Sequence, residues 1–258
     1  MARIFITGSS DGLGQRAAKQ LIKYGHQVVL HARNEQRAKD AAAGCPGAET
    51  VVVGELSTVA ETKALASKLN ELGIFDCVIH NAGLFRGPFR KTADGVPVLV
   101  NVNVLAPYIL TSLMHRPKRI VFLSSSMHKA DSGDLDDVLW LKRGESAWDE
   151  TTAYSASKLQ NILFAKAFAR RWPEINVSVM DPGWVATKMG GSSATGSPEA
   201  AVATYTMLAE GTEPDAQKGG RYFEPGQKES TPKAVTEDAK VQDQLLAICA
   251  DFTGVSPP

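Results

Sequence analysis

The stretch AYSASKLQNILF, Ala153 to Phe164, sets Tyr154 and Lys158 four positions apart with small residues between them. On a helix, side chains at i and i+4 share a face, with Cβ atoms about 5–6 Å apart. A phenol with a pKa of about 10 stays protonated at neutral pH and is a poor base. A cation beside it stabilises the phenolate. The pair therefore has the types and spacing of a proton donor and its tuning cation. The plain alternative is a helix face carrying one aromatic and one charge, and only the rest of the chain decides between them.

A second feature lies near the start. ITGSSDGLGQ places Gly8, Gly12 and Gly14 between a strand-like run and a helix-like one. The spacing is GxxxGxG, not the GxGxxG of the common dinucleotide fingerprint, but the physics is shared. Glycines let the backbone turn sharply and approach a pyrophosphate, and the helix N-terminus at Leu13–Gly14 offers free N–H groups to the anion. The second strand-like run ends VVLHARNEQ. Ala32 stands where an acid would bind a ribose 2′-OH, and Arg33 follows, which suits a 2′-phosphate. NADP is preferred over NAD on that ground. Asp11, in the glycine loop, counts slightly the other way.

These residues need elements to position them. RIFIT, QVVLHA, ETVVVG, FDCVIH, RIVFLSS and INVSVMDP are continuous apolar runs of the kind buried on both faces of a sheet. Helix-like stretches at 14–24, 35–43, 58–72, 95–114 and 152–172 alternate with them. Strand then helix, repeated, predicts βαβ units, a parallel sheet with helices on both faces, and a doubly wound α/β fold. GGRYFE supplies a seventh strand after a helix at 198–210. Segment 224–236 reads as a polar loop and 237–252 as a last helix. No linker or repeat divides the chain, so 1–258 is expected to be a single domain. Residues 129–151 read as an insertion with its own small apolar face, and 184–198, rich in Gly and Ser, as a loop over a site.

Composition narrows the function. Lys+Arg and Asp+Glu are both 28, so no net charge argues for nucleic acid or an anionic membrane. Hydrophobic content of 43% supplies a core. Cys45, Cys77 and Cys249 lack disulfide or metal spacing, and the histidines show no ligand pattern, so no metal is expected. The N-terminus carries no signal-peptide pattern and no run is long enough to span a membrane, so a cytoplasmic protein is expected.

Taken together, TGSSDGLG, NAG at Asn81–Gly83, SSS at Ser124–Ser126, YSASK at Tyr154–Lys158 and DPGWVATKM at Asp181–Met189 resemble, in order, the short-chain dehydrogenase/reductase family. The resemblance spans roughly residues 3 to 225. AYSASKLQNILFAKAFARR and GGRYF bring it nearest the retinol-dehydrogenase-like and carbonyl reductase branch. It implies a Rossmann fold with a seven-stranded sheet, Tyr154 as catalytic acid/base, and Lys158 holding the nicotinamide ribose. It implies a serine orienting the substrate carbonyl, for which Ser125 matches best and Ser126 is the runner-up. Asn103 matches the asparagine that positions a relay water, with Asn101 the less favoured register. The glycine loop, Ser10 and Leu13 included, is assigned to the cofactor, as is Asn34 beside Arg33. Glu55 and Leu56 would flank the adenine. Asn81, Ala82 and Gly83 would line the cofactor, and Pro182, Gly183, Val185 and Thr187 would meet the nicotinamide.

Two departures stand out. His80 replaces the first Asn of the commoner NNAG, and the 129–151 insertion separates Ser125 from Tyr154. The resemblance implies an NADP-dependent oxidoreductase acting on a carbonyl or alcohol. Trp140, Trp148, Trp184 and Met189 suggest a lipophilic ketone or aldehyde. A non-catalytic NADP-binding sensor or scaffold is the alternative, and a nucleotide-sugar epimerase a weaker one. Helix 95–114 and the Tyr154 helix are apolar on more than one face. Packing between subunits, in a homodimer or tetramer, and plain core burial both explain that pattern.

Overall fold

The alternation of apolar runs and amphipathic segments builds one sheet clothed on both sides. In chain order the computed structural model, which describes residues 1–257, has β1 (Arg3–Ile6), α1 (Gly12–Lys23), β2 (Gln27–Ala32), α2 (Glu35–Gly44), β3 (Thr50–Val53), α3 (Val59–Glu71) and β4 (Cys77–His80). There follow α4 (Val98–Val100), α5 (Ala106–Leu113), β5 (Arg119–Leu123), α6 (Glu150–Arg171), β6 (Asn176–Met180), α7 (Pro198–Glu210), β7 (Tyr222–Glu224), β8 (Lys228–Ser230) and α8 (Ala239–Thr253). The strand order is β3-β2-β1-β4-β5-β6-β7-β8. β1 to β7 pair in parallel, and only β8 is antiparallel.

Strand side chains alternate between two cores. Ile4, Ile6, Val28 and Leu30 face Ala17, Leu21 and Leu208, hence α1 and α7. Phe5, Val29 and Val78 face Leu65, Leu69 and Leu110, hence α3 and α5. Phe122, Val177 and Val179 pack on α6. With both faces covered, continuous apolar runs are what the strands require. The chain order reverses between β1 and β4, which opens a crevice at the carboxyl ends of these strands.

Four expectations need correction. The sheet has eight strands, not seven. Segment 224–236 is not all loop, because Pro225, Gly226 and Gln227 turn the chain back so that Glu224 pairs with Lys228. Gly226 and Gln227 take positive φ there. A short edge strand reading Lys-Glu-Ser has the composition of a loop because its charges face solvent. Helix 95–114 starts only at Val98 and is interrupted. Pro107 lacks the N–H that the carbonyl of Asn103 would accept in a regular helix, and Asn101–Leu105 winds as a π turn with the Ala106 N–H reaching the Asn101 carbonyl. The insertion has no separate apolar face: Leu135, Val138, Leu139 and Trp140 join the main core beside α6.

α6 is buried nearly all round by its own chain. α8 and the insertion cover it, and the Tyr108 hydroxyl of α5 donates to the Val255 carbonyl at 2.6 Å. Core burial thus accounts for the apolar faces of α5 and α6. Among the described residues no helix is long and apolar enough to cross a membrane.

Candidate active site

The glycine loop leaves β1 at the crevice. Gly8 and Gly12 have φ of +62° and +59°, a region costly for any residue with a Cβ. A Cβ on Gly8 would stand 2.8 Å from the Ala82 Cα, and one on Gly14 would meet the Asn81 amide at 2.4 Å. The loop is therefore pressed against the end of β4. Asn81 fastens it: its amide donates to the carbonyls of Thr7 and Gly8 at 2.8 and 3.0 Å, and its Oδ1 accepts from Tyr205 at 2.7 Å. Asn81 thus shapes the floor of the crevice and spends its side chain doing so.

His31 braces the same loop from below. Its Nδ1 accepts from the Gly8 N–H at 2.9 Å, and its Nε2 lies 2.8 Å from the Gly54 carbonyl, which makes Nε2 the donor. Burial drops its pKa to about 4, so the imidazole is neutral and its tautomer is fixed by those two partners. The sequence reading gave His31 no role. Its position at the end of an apolar strand, opposite the glycine loop, was the available signal.

At the end of β2, Arg33 is exposed. Arg37, one turn into α2, donates to Ser10 Oγ at 3.0 Å and to Asp11 at 2.6 Å. Lys188 lies 3.3 Å from the same carboxylate. Asp11 is therefore neutralised by two cations, which removes the objection it raised to a nearby phosphate. Arg37 went unnoticed in the sequence because it lies four residues beyond Arg33. Asn34 caps α2, accepting from the Arg37 N–H at 2.9 Å. Glu55 accepts from the Leu56 N–H at 2.9 Å, Leu56 is buried, and its carbonyl accepts from Asn101 at 2.7 Å.

At the other end of the crevice, α6 is locked to β5. Ser124 Oγ donates to the Lys158 carbonyl at 2.8 Å, while Lys158 Nζ and the Asn161 amide donate to the Leu123 carbonyl at 3.1 and 3.2 Å. Of the three serines, Ser124 is thus committed to this joint, Ser126 is exposed, and Ser125, half-buried and accepting from the Met127 N–H at 3.3 Å, is the one near enough to the Tyr154 phenol to influence it. The 129–151 insertion loops away and lets residues 29 positions apart meet. Lys158 Nζ lies 5.3 Å from the Tyr154 ring centroid.

The two asparagines separate by function. Asn101 faces Leu56. Asn103 clamps the loop after β4: Oδ1 accepts from the Leu84 N–H at 2.8 Å, and Nδ2 donates to the Leu84 carbonyl and to Ser157 Oγ at 2.9 and 3.0 Å. Ser157 Oγ donates on to the Tyr154 carbonyl at 2.7 Å. A Cβ on Gly83 would lie 3.5 Å from both Asn103 Oδ1 and Lys158 Nζ, so Gly83 stands between the clamp and the cation. Gly12 and Thr187 approach across the opening, since a Cβ on Gly12 would lie 3.9 Å from the Thr187 methyl. Gly183 takes φ +75° after Pro182, Val185 is buried, and Val185 bridges to Gly196 so that loop 184–198 folds back on itself.

Burial sets the electrostatics. It raises the Tyr154 pKa to about 12; the Ser125 hydrogen bond works the other way and Asp181 adds to the rise. Burial lowers Lys158 to about 8, with Asp181 opposing. Both groups are thus held toward their neutral forms until further charge arrives. His128, at the strand exit, is enclosed: it lies 2.7 Å from the Ser125 carbonyl through Nδ1 and accepts from the Lys233 N–H through Nε2 at 3.2 Å. His80 is buried against Thr111, 2.8 Å away. No group of three metal-ligating side chains occurs among the described residues.

A doubly wound sheet with a glycine loop at its switch point, and Ser, Tyr and Lys converging beside it, defines a Rossmann-type dinucleotide-binding fold. The chain belongs to the short-chain dehydrogenase family, whose model, described as short chain dehydrogenase, matches residues 2–197. It is 47% identical over 258 residues to the short-chain dehydrogenase chyC of Penicillium rubens, covering 100% of both chains. Retinol dehydrogenase 14 of Homo sapiens is 33% identical over 214 residues, 72% of this chain and 62% of that one. A crystal structure of an uncharacterized Mycobacterium paratuberculosis protein superposes with a TM-score of 0.84 at 24% identity, over 100% of this chain and 95% of the other.

Proposed function

We propose that the protein is an NADP-dependent oxidoreductase that interconverts a carbonyl and an alcohol, with a lipophilic or aromatic ketone or aldehyde as substrate. The observation that carries this reading is the meeting of Ser125, Tyr154 and Lys158 beside Gly83, at the mouth of the glycine-loop crevice. The cleft suits a dinucleotide: Gly8, where a Cβ would collide with Ala82, lets the loop turn tightly against the end of β4, and α1 offers free N–H groups to a pyrophosphate. Arg33 and Arg37, with Ser10, would meet a 2′-phosphate, which favours NADP over NAD. Bound nicotinamide supplies or accepts the hydride and brings a positive charge when oxidised.

The chain's own residues handle the proton. Ser125 donates to the carbonyl oxygen and stabilises the negative charge that develops on it. Tyr154 delivers its phenolic proton to that oxygen, and in the reverse direction its phenolate takes the proton from the alcohol. Lys158 stabilises the phenolate and holds the ribose. Asn103 keeps the loop after β4 in place. Trp184, which follows Gly183, and Met189 are both exposed and would wall the substrate apolarly. The site is complete within one domain, and free buried cysteines suit a reducing cytoplasm. The test is NADPH consumption against a panel of aryl and alkyl aldehydes and ketones. Turnover with at least one class supports the reading; tight NADPH binding without turnover across the panel replaces it with a cofactor-binding sensor.

A further inference from the structure

Past the NAG turn, the loop Leu84–Arg90 carries charge to the edge of the proposed site. Phe85 packs on the ring of Tyr154 with centroids 4.5 Å apart. Arg86 lays its guanidinium over the other ring, 5.3 Å from the Phe85 centroid. The Phe85 ring thus touches both a cation and the phenol-bearing ring. Arg90 borders the same recess, with Leu84, Pro97, Val98, Leu99 and Trp148.

The loop that carries them is held in place. The Gly87 N–H donates to Glu150 Oε2 at 2.8 Å, Trp148 Nε1 donates to the Gly87 carbonyl at 3.3 Å, and the Val98 N–H donates to the Arg90 carbonyl at 2.8 Å. Glu150 is engaged by the loop's backbone and forms no ion pair with either arginine. Among the described residues neither guanidinium has an ion-pair partner, although Arg37, Arg143, Arg170 and Arg221 all do. An exposed, unpaired guanidinium held against Phe85, whose ring also packs on the proton donor, is available to an anion carried by an aromatic substrate.

We infer that the substrate carries a carboxylate, or an anionic group of similar geometry, about one aromatic ring away from the reacting carbonyl, and that Arg86 is the specificity residue that binds it. This rests on the oxidoreductase reading above. On this reading Phe85, Trp184 and Met189 would hold the ring, Tyr154 and Ser125 would address the carbonyl, and Arg86 would hold the far end.

The matched probes are para-acetylbenzoate and its methyl ester, which share size, ring and ketone and differ in charge. With NADPH, the wild-type protein is expected to favour the acid by about ten-fold in kcat/KM. Arg86→Gln should erase that preference through KM, leave the ester within about two-fold, and leave NADPH binding unchanged, while Arg86→Lys restores part of it. Added salt should weaken turnover of the acid and not of the ester. An ester turned over as well as the acid, or an Arg86→Gln variant that loses both equally, overturns the inference and leaves the oxidoreductase reading intact. Turnover of neither probe also overturns it; the wider carbonyl panel then judges that reading separately.

Discussion

At the glycine-loop end of the crevice the charges are exposed or paired: Arg33 stands in solvent, and Arg37 and Lys188 share Asp11. At the opposite end Tyr154 and Lys158 are buried, in no ion pair, and held toward their neutral forms. The first arrangement suits recognition, since paired cations near water exchange a partner cheaply. The second suits chemistry, since burial keeps a proton donor and a cation in a low dielectric where added charge has a large effect. A loss at the buried end should therefore appear in turnover, and a loss at the exposed end in cofactor affinity.

The largest effect expected is from Lys158→Met, which should lower kcat by about 10³-fold or more. The same change should stabilise the cofactor-free protein. An unfolded lysine keeps its proton to a pKa of 10.5, whereas Lys158 releases it at about 8. Between those values the unfolded chain binds more protons, so this group makes stability rise with pH across that window, and its destabilising effect is complete below it. A thermal melt at neutral pH should show Tm higher by roughly 2–5 °C in the variant, with the gap closing above pH 10. A lower Tm would mean that the Nζ hydrogen bond to Leu123 outweighs the burial of the charge.

Ser125→Ala comes next, with kcat lower by about 10²-fold, while Ser126→Ala stays near wild type. Equal losses in the two would remove the distinction drawn between these serines. At the exposed end, Arg33→Ala should weaken NADPH binding by about ten-fold and leave NADH nearly unchanged, measured by cofactor fluorescence. Tighter binding of NADH than NADPH by the wild type would contradict the assignment of the 2′-phosphate site.

The smallest effect concerns acid stability. Burial holds His31 at about 4 and His80 at about 3. The unfolded chain protonates its histidines first, near a pKa of 6.5, so these two groups make stability fall as pH drops from there toward 4. His80→Phe should flatten part of that slope in urea melts. An unchanged slope would place the acid sensitivity elsewhere.

Much of this was legible beforehand, because local rules carried it. The glycine loop, the Tyr154–Lys158 spacing and the six apolar runs each follow from constraints within a few residues, and the structure keeps them all. What was missed depends on distance or on neighbours. β8 hid because its Lys and Glu face solvent. The π turn follows from Pro107, whose missing N–H matters only inside a helix. Arg37 and His31 gained their roles when the glycine loop folded against them. Residues 129–151 looked self-contained in sequence because nothing local says that Leu135 and Trp140 reach α6. Ser125 separated from Ser126 only when Ser124 was seen to hold the Lys158 carbonyl.

The contrast between the two ends is tested most directly by measuring NADPH binding and single-turnover reduction side by side in Tyr154→Phe and Arg37→Ala. The expected result is a crossed one. Tyr154→Phe binds NADPH within about two-fold of wild type and loses turnover by about 10³-fold, whereas Arg37→Ala binds NADPH about ten-fold more weakly and, when saturated, reduces substrate at the wild-type rate. A Tyr154→Phe protein that turns over within ten-fold of wild type, or an Arg37→Ala protein that fails when saturated with cofactor, would contradict the account.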